Sequence, residues 1–152
     1  MKLRIERTNS TNPDFKKLVN ELDTELKIID GDDHAFYDQF NGIENLRYVI
    51  VGYLDNIPVG CGAIKQYDNT SVEVKRMFVP KEFRGKGIAT QLLTELEIWA
   101  KELKFSKIIL ETGLKQKNAV ALYKKNDYAN IPNYSPYENT KTSVCFQKIL
   151  IL

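Results

Sequence analysis

Histidine is almost missing from this chain: of its 152 residues only His34 carries an imidazole. A histidine-based catalytic triad or a multi-histidine metal centre therefore has little to be built from. Cysteine is nearly as scarce. Cys61 and Cys145 are the only two, and they lie too far apart to form a metal-ligand pair. Each sits in a strand-like run, where a free thiol behaves as a small buried hydrophobe. Long apolar runs are absent too. No stretch approaches the ~20 residues of a membrane span, and Met1-Lys2-Leu3-Arg4-Ile5-Glu6-Arg7 lacks the pattern of a secretory leader. Nor does charge of one sign dominate, since 22 Lys and Arg stand against 20 Asp and Glu, for a net charge of +2. That balance points away from nucleic acid and from an anionic membrane as the main partner. The expectation is a cytoplasmic protein that holds no metal.

What is present has the composition of a folded chain, 43% hydrophobic and 28% charged. The length suits one domain over residues 1–152, and no repeat, linker or low-complexity tract divides it. Leu3 and Ile5 alternate with charged residues, which predicts a short first strand. Asn12 caps a helix whose first turn holds Pro13, and its apolar stripe is Phe15, Leu18, Val19, Leu22 and Leu26. An acidic stretch follows (Asp30, Gly31, Asp32, Asp33), then a short helical piece around Phe36 and Phe40. Residues 46–54, 59–67 and 71–79 read as three strands joined by the turns Asp55-Asn56 and Asp68-Asn69. Connections this short make an antiparallel meander.

After Pro80 the period changes. Ile88, Leu92, Leu96, Trp99 and Leu103 recur every three or four residues, giving one long amphipathic helix. Residues 107–112 form a compact strand, expected parallel to the strand before the helix through a right-handed crossover. Residues 118–125 read as a second helix and 143–150 as a closing strand. The sum is an α/β chain with a mixed sheet, antiparallel first and parallel in the middle.

The most informative segment is Arg84-Gly85-Lys86-Gly87-Ile88-Ala89, between a strand end and the start of the long helix. Main-chain N–H groups and the positive end of the helix dipole converge there, which favours an anion. Glycine lets the backbone approach a pyrophosphate, and Arg84 and Lys86 add counter-charge. A solvated basic turn is the plain alternative. The P-loop string is absent. A dinucleotide site would use Gly85 and Gly87, with Glu111 as the ribose-binding acid. Thr90 stands where that motif has Gly or Ala, however, and four residues separate the strand from the first glycine.

Set in its surroundings, this segment resembles the Gcn5-related N-acetyltransferase (GNAT) superfamily, whose Arg/Gln-x-x-Gly-x-Gly/Ala string is matched by Arg84, Gly87 and Ala89. Residues 72–80 look like that family's fourth strand. Asn118-Ala119-Val120-Ala121-Leu122-Tyr123 looks like its second conserved helix. Strong resemblance covers residues 46–128. One departure is Asp127 before Tyr128, where the family often has Gly; Asn126 and Asp127 tolerate left-handed geometry, so a strained cap is expected.

The resemblance implies an acyl-CoA N-acyltransferase fold and direct attack of an amine on the thioester of acetyl-coenzyme A, through a tetrahedral oxyanion. It further implies that Arg84, Gly85, Lys86, Gly87, Ile88, Ala89 and Thr90 hold the pyrophosphate, and that the fourth strand splays from the fifth. Met77, Phe78 and Val79 would then meet the pantetheine amides and the acetyl carbonyl through their backbone. Asn118 would hold the pantetheine arm, with a helix N-cap as its other reading. Tyr123 would protonate the departing thiolate, or else serve as an aromatic core residue. Glu73 is the implied general base, the alternative being a strand residue paired with a lysine. A lysine-like amine is neutral in on the order of one molecule per thousand at pH 7, so its deprotonation costs about 4 kcal/mol.

The acceptor is expected to be a small-molecule amine. Asp30, Asp32, Asp33 and Asp38 either attract a cation or form a solvated turn. Residues 133–138 either wall the acceptor pocket or form a plain surface loop. A protein N-terminal or lysine acetyltransferase and a non-catalytic acyl-coenzyme A binding module are the competing functions. Dimers are common in the family, but no segment here identifies a homodimer interface.

Overall fold

The structure, a computed structural model, describes residues 2–31 and 45–151. The expectations for His34, Asp32, Asp33, Asp38 and the helical piece around Phe36 and Phe40 lie outside them, as does the side chain of Asp30.

Seven strands form one sheet: β1 (Arg4–Thr8), β2 (Tyr48–Leu54), β3 (Ile57–Gln66), β4 (Ser71–Phe78), β5 (Lys107–Gly113), β6 (Ala129–Ile131) and β7 (Ser143–Ile149), in the order β1-β2-β3-β4-β5-β7-β6. Among the described residues the α-helices are α1 (Pro13–Asp30), α2 (Ile88–Glu102) and α3 (Lys117–Lys125). Short turns make β2, β3 and β4 an antiparallel meander, as their spacing predicts. Because α2 intervenes, β4 and β5 run parallel. β7 then slots between β5 and the short β6, antiparallel to both. The sequence reading overlooked β6, whose three residues carry no usable period of their own.

Strand alternation divides the core into two layers. Val49, Val51 and Tyr53 of β2 face α1, where they bury Phe15, Leu18, Val19, Leu22 and Leu26. Ile50 points the opposite way, into the larger cluster of Leu92, Leu93, Leu96 and Ala100 from α2 with Ile108, Leu110 and Phe146. The two helices thus clamp the sheet from opposite faces. Contact on the α2 side is close: a Cβ on Gly60 would sit 2.7 Å from Leu92 Cδ1 and 3.2 Å from the Phe78 carbonyl oxygen.

Polar ties fix the helix ends. Asn12 Oδ1 accepts from the Phe15 N–H at 3.0 Å, the cap expected from Asn-Pro. The Tyr53 hydroxyl donates to Asp14 at 2.7 Å, tying the start of α1 to the sheet. After α3, Asp127 adopts φ 69, the left-handed stop that its sequence context suggests. Cys61 and Cys145 are both buried free thiols, and burial pushes them up to about 12 and about 11.

Leu92 is fully buried, so Leu92→Ala should lower unfolding free energy by about 2–5 kcal/mol in urea titrations. A loss below about 1 kcal/mol would show that α2 is not clamped as described.

Candidate active site

Among the described strands, β4 and β5 are the parallel neighbours, and they separate early. Only Ser71, Val72 and Glu73 pair with Lys107, Ile108 and Ile109. Beyond that point β4 stays with β3 while β5 stays with β7. The divergence coincides with an irregularity in β4: Arg76 takes φ 56, and the β3 register shifts between Cys61 and Ala63. A bulge bends its strand and increases local twist, which turns β4 away from β5.

Two adjoining cavities occupy the resulting wedge. The inner one, about 100 Å³, lies between Val74, Arg76 and Met77 of β4 and Glu111 and Thr112 of β5, under Leu22 and Leu26 of α1. The outer one, about 640 Å³, runs from Met77, Phe78 and Val79 past the head of α2 to α3. Tyr123, Met77, Leu22, Gln116 and Ala119 line both. Tyr123 therefore stands at the junction.

The head of α2 opens into the outer cavity. Gly85 and Gly87 have φ 80 and 77, with nothing within 4 Å of a Cβ at either, so backbone conformation alone requires glycine there. Gly87 is the N-cap and no side chain caps the helix. The first-turn amides of Ile88, Ala89 and Thr90, which lack intrahelical acceptors, consequently face the cavity that these residues line. Lys115, Lys117, Lys125 and Arg84 add positive charge to its wall, against Glu25 alone among the described residues. Shape and charge suit a polyanion with a long neutral tail.

Several residues sit where the sequence suggests, but with different contacts. The Arg84 guanidinium donates to both Glu25 oxygens at 2.8 Å and to the Val79 carbonyl at 2.7 Å. It braces α1 against the end of β4, and its charge is already matched. Lys86 is not part of the cavity wall; its Nζ lies 6.0 Å above the Phe83 ring. Thr90 lines the cavity while its hydroxyl accepts from Asn126 Nδ2 at 3.2 Å, joining α2 to α3. Asn118 is not a cap, because Gln116 holds that position; it lies inside the first turn of α3, on the cavity wall.

The two expected catalytic groups differ in setting. Tyr123 is 6% exposed, in edge contact with Tyr128 at 5.7 Å. Burial first, and then the charge of Glu111, hold its phenol well above the usual tyrosine range. Glu73 lines neither cavity. It is buried, accepting from the Tyr134 hydroxyl at 2.6 Å and pairing with Lys75 Nζ at 3.2 Å. The carboxylate on the inner cavity wall is Glu111, which accepts from Ser143 Oγ at 2.6 Å. Arg76, Glu25 and the site role of Glu111 escape a sequence reading. The break in alternation after Val74 was the available signal for Arg76.

A mixed sheet wedged open between parallel strands, with an uncapped glycine-headed helix at its mouth, defines the acyl-coenzyme A N-acyltransferase class. Residues 14–128 match the Acetyltransferase (GNAT) family. The chain belongs to that family and is an acyltransferase, an N-acetyltransferase by class. An IAA acetyltransferase of Azospirillum brasilense is 39% identical over 153 residues, covering 96% of this chain and 97% of the relative. A Klebsiella pneumoniae structure assigned to the acyl-CoA N-acyltransferases superposes with a TM-score of 0.82 at 26% identity, covering 98% of each chain. The PaiA N-acetyltransferase of Thermoplasma acidophilum, in complex with coenzyme A, shares the fold at a TM-score of 0.73 and 16% identity, covering 98% of this chain and 99% of that one.

Gly87→Val places a β-branched residue at φ 77, a conformation costing at least about 1–2 kcal/mol. It should weaken coenzyme A binding at least about tenfold in calorimetric titration, because the first-turn amides lose their alignment. Unaltered affinity would discredit the helix head as the anion site.

Proposed function

We propose that this chain transfers the acetyl group of acetyl-coenzyme A to a primary amine on a small molecule. The observation that carries the reading is the wedge between β4 and β5, which runs from an uncapped helix head to Tyr123. Coenzyme A in the Thermoplasma relative supports the donor, and the name of the Azospirillum relative supports a small acceptor.

The outer cavity fits the donor in three ways. Main-chain amides of Ile88, Ala89 and Thr90 would take the pyrophosphate, and Arg84 would keep that loop pinned to Glu25. Met77, Phe78 and Val79 border the wedge where β4 has no β5 partner, so main-chain groups on that side, other than the Val79 carbonyl that accepts from Arg84, are available to amide groups of the pantetheine arm. Asn118 lies across from them. The donor supplies an activated acetyl thioester, so that a C–N bond forms as the C–S bond breaks.

Two protons must then be managed. Glu111, beside Tyr123 on the inner wall, takes the proton that the amine loses. Glu73, enclosed by Tyr134 and Lys75, acts at one remove, by fixing the β4 end of the wedge and the loop above it. Tyr123 supplies the other proton. Its phenol, like any tyrosine's, carries its proton at neutral pH, and its place at the junction of the two cavities sets it to donate to sulfur as negative charge develops.

Thiol release from acetyl-coenzyme A across a panel of amines tests the reaction; cofactor binding without turnover on any amine would refute it. Tyr123→Phe should lower kcat at least tenfold, by roughly the value of a charge-assisted donor, with coenzyme A affinity nearly unchanged. Equal kcat would remove the acid role. Glu111→Gln should cost on the order of 100-fold in kcat at pH 7. That deficit should shrink toward pH 10, where the amine loses its own proton. A deficit independent of pH would assign Glu111 a purely structural part.

A further inference from the structure

Arg76 has no part in the proton transfers just described, yet it is the most constrained residue of β4. Its side chain is 2% exposed. Its backbone is left-handed at φ 56, a region in which a long side chain gains nothing locally. Among the described residues its buried Nε–H finds no hydrogen-bond partner.

The bulge explains how it comes to be there. Val72 and Val74 belong to the α2 layer, so unbroken alternation would send residue 76 into the same apolar core. The irregularity turns Arg76 toward α1 instead, where Asp23 accepts from Nη2. Non-glycine residues held in this region cluster at functional sites, where surrounding structure maintains them. A guanidinium presents five N–H groups in a rigid fork. Asp23 balances the charge of that fork, but its Nε edge stays unmet. Buried donors of this kind are ordinarily paired, and one left without a partner among the described residues, on a residue that lines a cavity, calls for an acceptor.

Arg76 lines the inner cavity, and among the described residues its only charged companion there is Glu111, across the wedge on β5. The cavity holds about 100 Å³, room for roughly three water-sized groups. A lone amine would answer the charge of Glu111 and leave the Nε–H of Arg76 unmet. A head group with an amine and a carboxylate on one carbon has both charges and about the right bulk.

We propose that Arg76 receives a carboxylate of the acceptor, so that the amine acetylated by this chain is an α-amino acid. The assignment rests on the N-acetyltransfer reading and narrows it. The carboxylate accepts from Nε–H, the ammonium group lies toward Glu111, and nitrogen is thereby held beside Tyr123 at the junction of the cavities. The acceptor's own side chain projects out of the inner cavity, which is too small to contain it.

The test compares matched amines on the unmodified enzyme: phenylalanine with 2-phenylethylamine, lysine with cadaverine, methionine with 3-(methylthio)propylamine. Each pair differs by one α-carboxylate. With acetyl-coenzyme A as donor, kcat/KM should favour the carboxylated member by about 30-fold or more, the value of a charged hydrogen bond. Arg76→Lys keeps a cation near Asp23 but has no Nε–H; it should raise the amino-acid KM and shrink the ratio toward one. Equal kcat/KM within pairs would overturn the assignment and leave N-acetyltransfer standing. Silence from every amine, with acetyl-coenzyme A still raising the melting temperature, would overturn both.

Discussion

The interaction on which the site depends is one that stops. Three residue pairs join β4 to β5, and then the ladder ends while both strands continue. Parallel neighbours buried within a sheet would normally pair along their whole length, since unpaired main-chain groups away from water are costly. The wedge is therefore a departure that other contacts must maintain. β3 and β7 hold the outer edges of the two strands, and the bulge at Arg76 supplies the bend. α1 is bound to the β4 side by Asp23 to Arg76 and by Glu25 to Arg84. A polar substrate arm that completes the broken ladder would thus be bound by a sheet already bent to receive it.

Charge is distributed along the wedge to match this. The mouth is cationic, with lysines on α3 and in the turn before it and helix amides on α2. Among the described residues the interior carries one guanidinium and one carboxylate. Tyr123 lies between, buried enough to remain neutral. Arg84 lies on the wall of that mouth, as its position in the glycine segment suggests, and its forked contact with Glu25 also ties α1 to the loop.

Much of the architecture was legible in the sequence because each element is locally consistent. Asn12-Pro13 marks the start of α1, the alternating β2 run shows both of its faces, and the three-to-four-residue period of α2 leaves no rival reading. The glycine-headed start of α2 and the helix with Tyr123 were legible through their resemblance to the family. The less legible parts depend on long-range geometry. β6 is too short to signal itself, and nothing local reveals that the last strand would insert between two earlier ones. Likewise, Glu73 and Glu111 look alike along the chain. Only the bulge in one strand and the turn of its neighbour decide which carboxylate borders the cavity.

The placement of β7 has a consequence for how the chain reaches its working form. β5 is joined to β4 through three residues and to β7 through all seven of its own. During synthesis from the N-terminus, the meander, α1 and α2 can collapse early, since their contacts are close in sequence. The strand bearing Glu111 can be secured only after residue 149 has left the ribosome. Until then β5 has only its three pairs with β4 to hold it, and Leu110 has no Phe146 opposite it.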